Sequence, residues 1–187
     1  MKRVVVPIAP GFEEIETITI VDILRRAGVG VSLASVYEGT PPTALEGRSG
    51  INIIPDIALS EAQASDFDMI VLPGGLKGAE TLQRNPHVAR LLRASQLDRP
   101  RYVGAICAAP IVLAANNMIA GRRLTSHPSV KDQLDGAFYD EGRVVVDGNL
   151  VTSRGPGTAM EFALILVEIL EGRQKMQEIQ QTVLAAV

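Results

Sequence analysis

Cysteine occurs once in the 187 residues, and that scarcity sets the first limits. A single thiol excludes an intrachain disulfide framework, and two histidines with one cysteine make a poor zinc site. The net charge is only −3, which leaves no basic footprint for nucleic acid or an anionic membrane surface. No stretch approaches the roughly 18 consecutive apolar residues of a membrane span. The N-terminal run up to Ala9 is too short for a secretory core, and Gly11-Phe12-Glu13-Glu14 follows at once, so it reads as a first strand. With no targeting signal found, the expected location is the cytoplasm. Neither G-x-G-x-x-G nor G-x-x-x-x-G-K-[ST] occurs, which removes the dinucleotide and P-loop sites.

What is present is ordinary globular material. Hydrophobic residues make up 47% and charged residues 21%, and the length suits one domain over 1–187. Arg3 to Ala9 is a continuous apolar run, as in a parallel strand buried on both faces. Glu14 to Ala27 predicts a helix with Ile15, Ile18, Val21, Ile23 and Leu24 as its apolar face. Val29 to Val36 predicts the next strand, so the chain opens βαβ. Tyr37 to Gly50, with Pro41-Pro42, reads as an irregular excursion. Strands follow at Asp68–Leu72 and Arg101–Ile106, and helices at Lys77–Arg84, Val88–Gln96 and Ala108–Asn116. Arg143–Val146 and Leu150–Thr152 around Asp147-Gly148-Asn149 make a hairpin. Thr158 with Glu161 predicts a capping box on the helix Ala159–Leu170, and Arg173–Ala186 closes the chain. The class is α/β: a mostly parallel sheet with helices on both faces and one antiparallel hairpin.

The chain is organised around Tyr102-Val103-Gly104-Ala105-Ile106-Cys107-Ala108-Ala109-Pro110. It reads as strand, sharp turn and helix, with Cys107 at the corner, where α/β sheets bind ligands. The arrangement is that of a nucleophile elbow. The helix behind the sulfur favours thiolate over thiol. A lone cysteine is often an inert buried hydrophobe, but an inert one has no need of a helix N-terminus. Glu13, Glu14 and Glu16 crowd the start of the first helix. The helix dipole alone explains Glu13 and Glu14, whereas Glu16 lies close to the apolar face. A buried carboxyl there has a raised pKa and can donate to a thiolate or pass a proton. Gly74-Gly75 ends its strand with amides free to face an oxyanion. His127, before Pro128, is a candidate base or orienter for Cys107, while His87 reads as a surface residue. Arg26 and Arg48 suit an anionic or carbonyl group, or simply solvent.

Five segments, in order, carry a resemblance: Ala9-Pro10-Gly11-Phe12-Glu13-Glu14-Ile15-Glu16, Val71-Leu72-Pro73-Gly74-Gly75, Ala105-Ile106-Cys107-Ala108-Ala109-Pro110, Thr125-Ser126-His127-Pro128 and Thr152-Ser153-Arg154-Gly155-Pro156-Gly157-Thr158. The chain resembles the ThiJ/PfpI (DJ-1/PfpI) superfamily, on its DJ-1 side, from about Arg3 to Gly172. The resemblance implies a flavodoxin-like sandwich, a homodimer and a reactive, low-pKa Cys107. It implies Glu16 as a protonated carboxyl on the sulfur, with Gly75 and Ala108 as oxyanion donors. His127 matches the family histidine, and Arg26 and Arg48 match positions near pocket or interface. Two functions are implied. One is cofactor-independent conversion of methylglyoxal or glyoxal, or of their early adducts on amines. The other is redox sensing or chaperoning through oxidation of Cys107. Ala108 stands where the peptidase branch carries histidine, which disfavours proteolysis. A hydrolase or amidotransferase needs a close Cys–His pair that the sequence does not locate.

Overall fold

A computed structural model describes residues 1–38, 43–96 and 101–186. The opening βαβ unit is β1 (Arg3–Ile8), α1 (Glu14–Arg26) and β2 (Gly30–Ser35). The predicted excursion contains β3 (Leu45–Glu46), which pairs antiparallel with β4 (Asn52–Ile53); Pro41-Pro42 lie outside the described residues. Next come β5 (Ile57–Ala58), β6 (Met69–Leu72), α2 (Leu76–Arg84), α3 (Pro86–Ala94), β7 (Tyr102–Ile106) and α4 (Pro110–Ala115). Short β8 (Arg123–Leu124) pairs with β9 (Phe138–Tyr139). The chain ends with β10 (Val144–Asp147), β11 (Leu150–Ser153), α5 (Ala159–Glu171) and α6 (Arg173–Thr182).

The main sheet has seven strands in the order β10-β11-β7-β6-β1-β2-β5, and only the β10–β11 pair is antiparallel. Alternation along β1 fills both layers. Val4, Val6 and Ile8 join the core under α1 and α5 with Ile20, Leu24, Phe162 and Leu166. Val5 points the other way, to the core under α2, α3 and α4 with Leu82, Leu92 and Val112. This is the flavodoxin-like α/β sandwich. The connection order reverses beside β1: the chain leaves β1 for β2 on one side and returns to β6 on the other. Such a switch point opens a crevice at the carboxyl ends of the strands.

Two expectations are corrected. Ile15 and Ile18 are not on the buried face of α1; they are 58% and 47% exposed. The buried stripe is Glu16-Thr17, Ile20-Val21, Ile23-Leu24 and Ala27, a true three-and-four spacing whose first pair is polar. The helix is rotated to bring Glu16 inward. There is also no capping box on α5. The Thr158 hydroxyl donates to the Gly155 carbonyl at 2.9 Å and meets Ser153 Oγ at 2.6 Å, while Glu161 pairs with Arg143 at 2.7 Å.

Candidate active site

Three strand ends converge on the sulfur. β7 delivers Cys107 at φ 63, in the left-handed region, before any helical turn is complete. That conformation costs about 1–2 kcal/mol for a side-chain-bearing residue. It is held from both sides, because the Cys107 N–H donates to the Ser153 carbonyl at 3.0 Å and its carbonyl accepts from His127 N–H at 2.9 Å. β6 ends in Gly74-Gly75. A Cβ built on Gly74 would lie 2.6 Å from both Cys107 Cβ and Glu16 Oε2, and 3.1 Å from the sulfur. Only glycine lets carboxyl and thiol close around this backbone. Gly75 has φ 86, and a Cβ there would run into the Gly11 carbonyl and lie 2.8 Å from Glu13 N.

β1 supplies the acids through the start of α1. Glu13 is the N-cap and accepts from Glu16 N–H at 2.7 Å. Glu14 does different work: it is buried and accepts from Ser49 N–H at 2.6 Å, pinning the β3–β4 hairpin to the helix. Burial opposes its ionisation, but backbone amides led by Ser49 hold its carboxyl below the ordinary value. Glu16 is fully buried, and its Oε2 accepts from Gly74 N–H at 2.7 Å. Its Oε1 has no hydrogen-bond partner among the described residues, which leaves that oxygen to carry a proton.

Burial pushes the Glu16 carboxyl up to about 7, against the lowering pull of Gly74 N–H. Burial and then the Glu16 charge push the Cys107 thiol up to about 12, while the amides of Gly75 and Ala108 act to lower it. Two adjacent anions are the disfavoured state. Thiol with carboxylate, and thiolate with carboxylic acid, contain the same single proton, so the two groups titrate as a pair. The resemblance implies a low-pKa cysteine. Beside an ionised Glu16 the thiol moves the opposite way, and a thiolate fits only the state in which Glu16 keeps the proton.

The remaining candidates separate. The His127 ring is exposed and bound to Ser129 Oγ at 2.7 Å; no ring hydrogen bond to Cys107 exists among the described residues. Its contribution to the elbow is through the backbone. Arg48 lines the cavity over Cys107 with Glu46, Lys77 and His127. Arg26 does not. It sits on the outer face of α1, paired with Asp22 at 2.8 Å. Sequence reasoning missed the hairpin-pinning role of Glu14, although its neighbour Glu16 on a buried stripe was a readable signal. Nothing in the sequence marks Lys77.

Fold and site together define a class: a flavodoxin-like α/β protein whose cysteine sits at a strand-to-helix corner against a buried carboxyl. The chain belongs to the DJ-1/PfpI family, whose model matches residues 2–169. It is 44% identical to protein dj-1beta of Drosophila melanogaster, covering 99% of this chain and 98% of that one. The crystal structure of that relative superposes with a TM-score of 0.92, covering 100% of this chain and 99% of the other. Toxoplasma gondii DJ-1, in its oxidized form, gives a TM-score of 0.93 at 34% identity, covering 100% of both chains. Glutathione-independent glyoxalase DJR-1.2 of Caenorhabditis elegans is 41% identical over 87% of this chain and 85% of its own.

Proposed function

We propose that this protein is a cofactor-independent cysteine enzyme that converts α-oxoaldehydes such as methylglyoxal or glyoxal into 2-hydroxy acids. The observation that carries the reading is the Cys107–Glu16 pair at the elbow, with the Gly75 and Ala108 amides on the sulfur. The glyoxalase name of the nematode relative supports it.

The steps balance without an external oxidant. Cys107 loses its proton to Glu16, and the thiolate attacks the aldehyde carbon, forming a C–S bond. The amides of Gly75 and Ala108 hold the alkoxide. The Glu16 proton then passes to that oxygen. The Glu16 carboxylate next takes the hydrogen of the former aldehyde carbon as a proton, and the neighbouring carbonyl becomes an enediol. The carboxyl gives that proton to the second oxygen, takes the hydroxyl proton of the first carbon and delivers it to the second carbon, leaving a 2-hydroxy thioester. The first carbon is oxidised by the pair of electrons that reduces the second. Water attacks the thioester, the C–S bond breaks and Cys107 is restored. An early aldehyde adduct on an amine would first break its C–N bond, releasing the amine and the aldehyde, which then enters by the same hemithioacetal. Incubation with methylglyoxal in the absence of glutathione tests this. Lactate forms with the wild-type protein and not with Cys107→Ala; undiminished turnover by that variant overturns the mechanism.

A second reading is favoured by the oxidized state of the Toxoplasma relative. A partly exposed Cys107 beside a protonated Glu16 suits a sulfinate accepting the carboxyl proton. Mild peroxide followed by intact mass decides between them. A stable gain of two oxygens with negligible aldehyde turnover makes the protein a sensor. For assembly we propose a homodimer through the exposed stripe of α1, Ile15 and Ile18, together with Ile51 and Ile54 on and beside the β3–β4 hairpin, which are 56% and 70% exposed. No helix among the described residues is long and apolar enough to cross a membrane.

A further inference from the structure

The cavity above Cys107 measures about 680 Å³. Cavities of about 300–1,000 Å³ hold drug-sized ligands, so a three-carbon aldehyde would fill only a corner of it. Three charged side chains line it: Glu46, Arg48 and Lys77. Lys77 is the second residue of α2, and its stem is laid against the loop after β1. A Cβ built on Gly11 would meet Lys77 Cβ, Cγ and Cδ at 3.0, 3.3 and 3.2 Å. The stem is packed while the residue as a whole is exposed, so the ammonium is left to solvent on a side chain that lines the cavity. Arg48 is brought there by the hairpin, whose Arg48 N–H donates to the Phe12 carbonyl at 2.9 Å. Among the described residues neither cation makes an ion pair. The Arg48 charge does act on Glu13 and Glu16.

We propose that Lys77 and Arg48 form an anion-recognising rim, so that the preferred substrate is an electrophile carrying a carboxylate or phosphate. Two unpaired cations at the mouth of a cleft focus field on an incoming anion. Glu46 is the one opposing charge among the lining side chains. That the electrophile is an aldehyde rests on the function proposed above; the anion preference does not.

Cys107 is the only thiol in the chain, so bulk alkylation reads this site alone. The experiment compares alkylation rates with iodoacetate, which is anionic, and iodoacetamide, its neutral counterpart. Wild type, Lys77→Met and Arg48→Met are measured at low and high salt, with N-acetylcysteine as reference. The iodoacetate-to-iodoacetamide ratio is expected to exceed that of N-acetylcysteine severalfold at low salt. It is expected to fall about threefold or more in each variant, and also with added salt. A wild-type ratio at or below the reference overturns the proposal, as does a high ratio that neither substitution moves. Turnover of a phosphorylated three-carbon α-oxoaldehyde against methylglyoxal then tests the aldehyde half. A normal alkylation pattern with no turnover of either refutes the enzyme and leaves the rim standing.

Discussion

Replacing Glu16 by glutamine should make the folded protein more stable at alkaline pH while removing its activity. The Glu16 carboxyl is raised from 4.5 to about 7 by burial. Between those values the folded state holds a proton that the unfolded chain has released, so wild-type stability falls as pH rises through that window. At about 1.4 kcal/mol per pKa unit the loss is about 3 kcal/mol, complete above pH 7. Glutamine has nearly the same volume, its amide oxygen can accept from Gly74 N–H, and it carries no charge. Cys107 does not interfere, because its thiol moves from 9.0 to about 12 and its own loss of stability begins only above pH 9. Other carboxylates titrate in both proteins and largely cancel in the difference. Urea unfolding of wild type and Glu16→Gln at pH 5 and pH 8, at one protein concentration, gives the double difference. Glu16→Gln should gain about 3 kcal/mol relative to wild type on going from pH 5 to 8. For a chain of this size that is a melting difference of about 6–12 °C. A double difference within about 0.5 kcal/mol of zero would mean that Glu16 is not a buried acid.

Gly75→Ala should cost about 2 kcal/mol or more in chemical denaturation and abolish methylglyoxal turnover, since the new methyl group meets the Gly11 carbonyl at a left-handed position. A fully active, equally stable variant would show that the turn is not confined. In Gly47→Ala the added carbon would press on the Glu14 carboxyl, which lies against that position. The hairpin should shift with Arg48, raising KM for an anionic substrate more than for a neutral one; equal effects on both would detach the hairpin from recognition. Ile18→Glu should sediment as a monomer at concentrations where wild type is a dimer, and an unchanged mass would move the interface elsewhere on the surface.

The fold was legible because its signals were local. Apolar runs at β1, β6 and β7 marked strands buried on both sides. The position of Cys107 followed from the same logic, since strand, corner and helix are consecutive in the chain. What was not legible depended on contacts distant in sequence. The rotation of α1 is set by Gly74 N–H reaching Glu16 across 58 residues, so Ile15 and Ile18 looked like core and are surface. Thr158 and Glu161 have capping-box spacing, but Ser153 and Arg143 take their side chains instead. The pairing of His127 with Ser129 is local, yet no pattern announces that a hydroxyl two residues on will take the ring nitrogen.

The same long-range contacts decide which group moves the proton in the proposed reaction. The isomerisation takes a proton from one carbon and delivers one to the next, so a single group must act as base and then as acid. A group whose pKa lies near the working pH does both at least cost. Glu16 at about 7 meets that condition, and its Oε1 is buried without a hydrogen-bond partner among the described residues. The His127 ring makes no hydrogen bond to the sulfur among the described residues, and its Nδ1 is engaged by Ser129. The position of the Glu16 pKa is a balance: burial and the Glu13 charge raise it, while the Gly74 amide, the Cys107 thiol and the Arg48 charge lower it. Neutralising Glu13 as Glu13→Gln removes one of the raising contributions. The acidic limb of the pH–rate profile, which reports ionisation of the pair, should therefore move to lower pH. If His127 were the proton carrier, that limb would be indifferent to Glu13→Gln, and His127→Ala would remove turnover.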